Sequence, residues 1–162
     1  MSGLALAGLA GVLALALLWP GRASMAEAAV ATAQAPARHC ASHGAATLRA
    51  LRQGEQRLVV VVKAFRPTKA RSGRLVVSLL TANHTRRSEI TRLAIHPLRS
   101  FTAQEPARSQ RFLVSLSELA HLVEDGKPLC IEVGFDTAAG TAEGGMAEIE
   151  VETVAMPGTP GK

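Results

Sequence analysis

The sequence predicts an all-β fold, a β-sandwich of six to seven short antiparallel strands with one short helix. Three observations support this prediction. Short segments alternate apolar and polar residues, turn residues such as Pro, Gly and Asn separate them, and only one stretch among them has helical spacing. The chain of 162 residues has no visible repeat, and its length fits one domain with tails.

The predicted strands share the period-2 alternation of a half-buried sheet. They cover residues 56–65, 74–82, 89–95, 98–103, 111–116, 129–135 and 146–154. The first, QRLVVVVKAF, is apolar on both faces, so it is expected at the centre of a sheet or beneath another layer. In the last, MAEIEVETV, Ala147, Ile149, Val151 and Thr153 are expected to face inward.

The single helix is expected after the strand at residues 111–116. Leu116, Leu119 and Val123 fall at helical spacing. Ser115 and Glu118 have the spacing of a capping box, in which each side chain bonds to the backbone amide of the other residue. The next strand follows at once.

Residues 1–28 are interpreted as a signal peptide. Residues 4–19 form an apolar run that is short for a membrane span, and small residues allow cleavage after Ala26 or Ala28. Because no Lys or Arg precedes the run, an uncleaved anchor is the alternative. Export to the periplasm or the extracellular space is expected.

The rest of the chain is divided by composition into three parts. Residues 29–54 are rich in Ala and lack strand alternation, so they are expected to form an extended N-terminal segment. Residues 55–155 contain the predicted sandwich. Residues 156–162 are rich in Pro and Gly and are expected to form a flexible tail.

Cys40 and Cys130 are the two cysteines, and an even pair in an exported protein indicates a disulfide. Cys130 and Glu132 alternate with Ile131 and Val133 in their predicted strand. The bridge would therefore tie the N-terminal segment across the outer side of the sheet. Closing a loop of this length stabilises a fold by about 4 to 5 kcal/mol in the chain-entropy model.

His39, Cys40 and His43 form one cluster of metal-ligand residue types. Thiolate and imidazole at this spacing suit copper or zinc, which makes a small metal carrier one alternative function. No neighbouring carboxylate orients the imidazoles, and an oxidised Cys40 is not a thiolate. No metal site is favoured, and no cofactor is expected.

Charge is divided sharply along the chain. Residues 38–111 contain fifteen Lys or Arg and three acids, a net charge of +12, whereas residues 112–152 contain one Lys and nine acids, a net charge of −8. One interpretation is that strands from the two halves pair and neutralise each other. The other is a basic half that binds anionic surfaces, as in an envelope or adhesion module.

Catalytic motifs are missing from the sequence. There is no nucleophile elbow and no phosphate loop, and His84, His96 and His121 are dispersed. The chain is therefore expected not to be an enzyme, and no catalytic residues are assigned. After the signal peptide it has no Tyr or Trp, which argues against nucleic-acid binding.

The order of segments between residues 57 and 154 resembles the C-terminal β-sandwich domain of plant-type polyphenol oxidases and related bacterial tyrosinases. The resemblance includes an early strand ending at a basic turn with Pro67, the Arg-Ser-Phe-Thr of residues 99–102, and the Leu-Ser-Glu-Leu of residues 116–119. A Gly-rich loop at residues 140–145 and the Ile-Glu-Val of residues 149–151 follow in the same order.

The resemblance implies a shielding role, because in that family this sandwich covers the copper site of its own enzyme and supplies no copper ligands. The copper domain is absent from this chain, and no residue corresponds to the one that plugs the active-site entrance. The expected function is thus a non-catalytic exported accessory domain that docks on a separately encoded tyrosinase-like copper oxidase. The oligomeric state is left open.

The exported protein, purified without reductant, is expected to lack its first 26 or 28 residues and to have no free thiol. Intact mass before and after alkylation measures both. Two alkylatable thiols would contradict the disulfide, and a full-length mass would favour the anchor.

Overall fold

The computed structural model describes residues 28–81, 86–139 and 142–157. In this part the chain forms two four-stranded antiparallel sheets, so the predicted all-β sandwich is confirmed. Nearly all of the predicted signal peptide, residues 1–27, and the end of the predicted tail, residues 158–162, lie outside the described residues.

Eight strands and one α-helix build the fold. In chain order they are β1 (Ala29–Thr32), β2 (Ala37–Ala41), α1 (Ala45–Gln53), β3 (Gln56–Arg66), β4 (Arg74–Leu80), β5 (Arg87–Ala94), β6 (Gln110–Val114), β7 (Leu129–Phe135) and β8 (Met146–Ala155). The first sheet has the order β1-β8-β3-β6, and the second has the order β2-β7-β4-β5. Each sheet therefore has two edge strands.

Strand β3 lies inside the first sheet, as its double-sided apolar sequence predicts. It pairs with β8 over ten residue pairs and with β6 over five. On its inner face Leu58, Val60 and Val62 are buried in the core. On its outer face Val59 and Val61 are also buried, at 3% and 5% exposure.

The core between the sheets is aliphatic with a small aromatic group. The ring of Phe65 lies 6.1 Å from that of Phe101 and 6.4 Å from that of Phe135, between centroids. Ile131 and Val133 of β7 face the core from the second sheet, whereas Cys130 and Glu132 face away from it, as predicted.

Residues 29–54 were expected to form an extended segment outside the sandwich, and this expectation is wrong. They contribute β1, β2 and α1 to the sandwich. Strands β1 and β2 form one edge of each sheet. With sequences AVAT and ARHCA they are too short and too rich in Ala to show an apolar alternation. Leu48 and Leu51 of α1 are fully buried in the core.

The helix predicted after β6 is a 3-10 helix at Ser117–Leu122, and the capping box does not form. The amide of Ser117 bonds to the Ser115 hydroxyl at 3.3 Å instead. A short 3-10 segment has too few turns for capping at α-helical spacing.

One strand prediction is wrong, and another holds only in part. Residues 98–103 form no strand, because Phe101 makes only an isolated bridge to Phe65. In β8, Ala147 and Ile149 are fully buried as predicted. Thr153 keeps the inward side of the strand, opposite Leu58, but it is exposed.

Replacing Phe65 by Ala is expected to lower the free energy of unfolding by about 3 to 5 kcal/mol, because removal of the ring leaves a cavity at the centre of the aromatic group. The control is Leu113→Ala on β6, whose residue is 58% exposed, with an expected change within about 0.5 kcal/mol. Urea denaturation measures both. A comparable loss in the two variants would contradict the described core.

Candidate functional site

The disulfide joins Cys40 of β2 to Cys130 of β7, two residues directly opposite each other in the second sheet. It lies on the outer side of that sheet, as predicted. Cys130 is buried, and Cys40 is exposed on the edge strand. The disulfide indicates an oxidising, exported environment. None of the helices in the described part has the length and apolar character needed to span a bilayer.

Glu132, beside the disulfide, is a buried carboxylate held by two arginines from different strands. One oxygen accepts bonds from Arg38 Nη2 at 2.9 Å and Nε at 3.3 Å, and the other forms an ion pair with Arg87. The Glu132 side chain is only 3% exposed, while both arginine side chains are more than half exposed. This pairing satisfies a charge that would otherwise be costly to bury.

The ion pairs join the basic half of the chain to the acidic half. Of nine ion pairs in the described part, seven connect a cation from residues 38–111 to an acid from residues 112–152. Their acids are Asp125, Glu132, Asp136, Glu143, Glu150 and Glu152. The neutralisation interpretation therefore describes much of the charge pattern, although half of the described basic side chains have no ion pair with a described acid.

His39 connects the two sheets. It lies on β2 opposite Ile131, and its Nε2 lies 3.0 Å from the carbonyl oxygen of Ile149 in β8. Burial is the largest influence on this ring and lowers the pKa of His39 below its ordinary 6.5. The hydrogen bond to Ile149 and the charge of Glu150 act in the opposite direction. The neutral tautomer with a proton on Nε2 fits this bond.

The metal-carrier alternative loses its thiolate, because Cys40 is oxidised in the disulfide. The ring of His39 is engaged by Ile149, and burial lowers the pKa of His43. In the described part of the chain, no three His, Cys, Asp or Glu side chains are grouped as metal ligands would be. His39 and Cys40 are thus engaged in contacts of the fold.

The outer face of the first sheet contains an apolar strip. Val59 lies opposite Leu113 of β6, and Val61 lies opposite Arg111. On the other side, in β8, Val59 has Glu152 and Val61 has Glu150 as cross-strand neighbours. Both valines are nevertheless buried. Long cross-strand neighbours such as Arg111, Glu150 and Glu152 can shield such positions from water with their methylene groups.

Leu113 is the exposed end of this strip. It is 58% exposed, and Val30 on β1, at the opposite edge of the sheet, is 50% exposed. Strand β6 is an edge strand, so within the described residues its edge away from β3 pairs with no strand. Leu113 occupies an outward position between Phe112 and Val114, and this alternation is the signal in the sequence that could have identified it. We name Val59, Val61, Arg111 and Leu113 the β6 surface.

His96 and Ser109 both line one surface cavity, which has a volume of about 260 Å³. The hydroxyl of Ser109 donates to the carbonyl of Pro106 at 2.8 Å. The backbone of His96 is held by the Gln110 side chain at 2.8 and 3.2 Å. These contacts orient the loop and give Ser109 no basic partner among the described residues. His84 lies outside the described residues.

No family model matches the chain, and no curated protein or solved structure matches it.

Burial lowers the pKa of His39 and His43 in the folded protein below the value of about 6.5 in the unfolded chain. As the pH decreases through about 6.5, the unfolded chain therefore binds more protons than the folded protein, and the free energy of unfolding is expected to fall. The variant His39→Gln with His43→Gln is expected to lose less stability between about pH 7 and pH 5.5 than the unaltered protein. Thermal unfolding across this range measures the difference. His121→Gln, at an exposed site, is the control; an unchanged slope in the double variant would contradict the assignment.

Proposed function

We propose that this chain is an exported, non-catalytic accessory domain that docks on a separately encoded tyrosinase-like copper oxidase and masks or escorts its copper site. The observation that supports docking is the β6 surface, where an exposed leucine lies on an edge strand. The choice of partner rests on the resemblance of residues 57–154 to the polyphenol oxidase sandwich. The extracellular space or the periplasm is the proposed location.

The β6 surface suits a protein partner for two reasons. Burying the exposed part of Leu113 contributes favourable transfer free energy. The free side of β6 has backbone groups that a strand of the partner can pair with. The ion pair of Arg111 with Glu152 borders this region and supplies a polar rim.

The masking role needs no catalytic group from this chain. A domain seated over the entrance of a copper site blocks the substrate by occupying space, so the oxidase is expected to turn over more slowly in the complex. The partner supplies the copper and its ligands. The accessory domain supplies the docking surface and the bulk that blocks the entrance.

Leu113→Arg is expected to weaken binding to a co-expressed oxidase from the same genome at least about tenfold, because an arginine replaces the apolar contact. Titration calorimetry with the purified partners measures the affinity, and diphenol oxidation measures masking. The matched control is Val30→Arg, at the opposite edge of the same sheet.

Two outcomes would contradict the proposal. One is the absence of a complex between the unaltered domain and the oxidase. The other is equal weakening by Leu113→Arg and Val30→Arg, which would place the contact elsewhere. Circular dichroism of both variants checks that the sandwich is retained.

A further inference from the structure

Half of the basic side chains in the described part have no ion pair. Sixteen Lys and Arg are described, and eight of them form the nine ion pairs. The other eight are Arg49, Arg57, Arg66, Arg71, Arg74, Arg86, Arg99 and Lys127. The mutual neutralisation of the two halves therefore leaves an excess of positive charge, and its location in the fold matters.

Four of these eight, Arg66, Arg71, Arg74 and Arg99, lie at one end of the sandwich, and all four are exposed. We call them the arginine end. Arg66 ends β3 and Arg74 begins β4, so one loop of seven residues joins them.

Packing between loops fixes this arrangement. The Ile95 amide donates to the Gly73 carbonyl at 2.9 Å, which holds the loop with Arg99 against the loop with Arg71. The two loops pack closely at Gly73, because a Cβ there would lie 2.5 Å from Leu98 Cδ1 and 3.3 Å from the Ile95 carbonyl oxygen.

Three acids near the arginine end are already engaged by other cations. Glu143 pairs with Lys69, Glu105 with Arg108 at 2.9 Å, and Asp136 with Arg92 at 3.4 Å. Arg66 donates its Nε proton to the Gly144 carbonyl at 2.9 Å, which orients the guanidinium and leaves its charge unpaired in the described residues. This end consequently has four positive charges available to a ligand.

Arg71 is held at the tip of a rigid turn. Its φ is +55°, a left-handed conformation uncommon for residues other than Gly, Asn and Asp. The turn is closed by the Arg71 amide to the Thr68 carbonyl at 2.9 Å and by the Ser72 amide to the Thr68 hydroxyl at 3.0 Å. Thr68 is buried, so the turn is anchored in the fold. An arginine held in this uncommon conformation motivates the hypothesis that its side chain has a role.

We propose that the arginine end binds a linear polyanion, a polymer with repeated phosphate, sulfate or carboxylate groups. This inference is independent of the proposed docking on an oxidase. Arg66 lies on the outer side of the first sheet, Arg74 lies on the outer side of the second, and Arg71 lies between them. A flexible polymer follows such a convex arc, whereas a small anion contacts only one or two arginines. Guanidinium groups bind phosphate and carboxylate through paired hydrogen bonds.

A membrane surface fits this end less well. Lipid binding by a folded domain commonly combines basic residues with exposed apolar side chains that enter the interface. Val30 and Leu113, the large apolar side chains exposed in the described part, lie on the outer face of the first sheet and not on these loops. Arg66 and Arg74 also lie on the outer sides of different sheets, so a planar bilayer would not contact both together.

Inorganic polyphosphate labelled with a fluorophore is the probe, with anisotropy as the readout. The unaltered protein is expected to bind it and to bind monomeric phosphate at least about a hundredfold more weakly, because several contacts act together. Affinity is expected to fall steeply with salt. The variant Arg71→Gln with Arg74→Gln and Arg99→Gln is expected to lose at least about tenfold in affinity and to lower the slope of log affinity against log salt by about two.

The matched control has the same change in net charge at the unpaired cations elsewhere: Arg49→Gln with Arg86→Gln and Lys127→Gln. It is expected to stay within about twofold of the unaltered protein. Equal losses in the two triple variants would overturn the proposal, because general attraction by net charge would then explain the binding. Binding to phosphatidylglycerol vesicles without binding to polyphosphate would also overturn it, in favour of a membrane.

A single variant separates binding from folding. Arg71→Gly removes the charge and places at the turn a residue that adopts positive φ freely. It is expected to weaken polyphosphate binding while not lowering Tm. Unchanged binding in this variant, together with unchanged binding in the arginine-end triple variant, would exclude the arginine end as the site.

Discussion

The buried carboxylate of Glu132 is the constraint on which the second sheet depends. It lies at the middle of β7, and the arginines that satisfy it come from β2 and β5, the two edge strands of that sheet. One acidic side chain thus ties both edges to the interior strand on the outer face, beside the disulfide that ties one of them covalently. A carboxylate this deeply buried needs both partners, so it favours one strand arrangement over alternatives.

The same principle extends to the whole charge pattern. Segments of opposite charge become neighbours in the sheets, as Lys63 of β3 and Glu150 of β8 do at 2.9 Å. Exposed pairs, such as Arg111 with Glu152, contribute little to stability, at most about 1 kcal/mol each. Their larger effect is on specificity, because like charges opposite each other would disfavour a wrong pairing of strands. The segregation of charge along the sequence is therefore in large part a device of folding.

The charges and apolar groups that the fold leaves over are the parts available for binding. On the outer face of the first sheet Leu113 remains exposed although its cross-strand neighbour Val59 is buried. At the arginine end, Arg71 has no ion pair within the described residues, although Lys69, two residues earlier, has Glu143 as partner. The proposed docking and the proposed anion binding thus involve different regions of the protein, so they would not compete.

The sequence by itself determined the strands that alternate over seven or more residues, the inward side of β7, the central place of β3 and the pairing of the two cysteines. These follow from local periodicity and from the parity of cysteines in an exported chain. Only the tertiary structure decided that β1 and β2 complete the two sheets, since strands of four and five residues take their conformation from the partner they pair with. It also decided that Glu132 is buried and that Arg99 joins Arg66, Arg71 and Arg74, because both depend on contacts between segments distant in sequence.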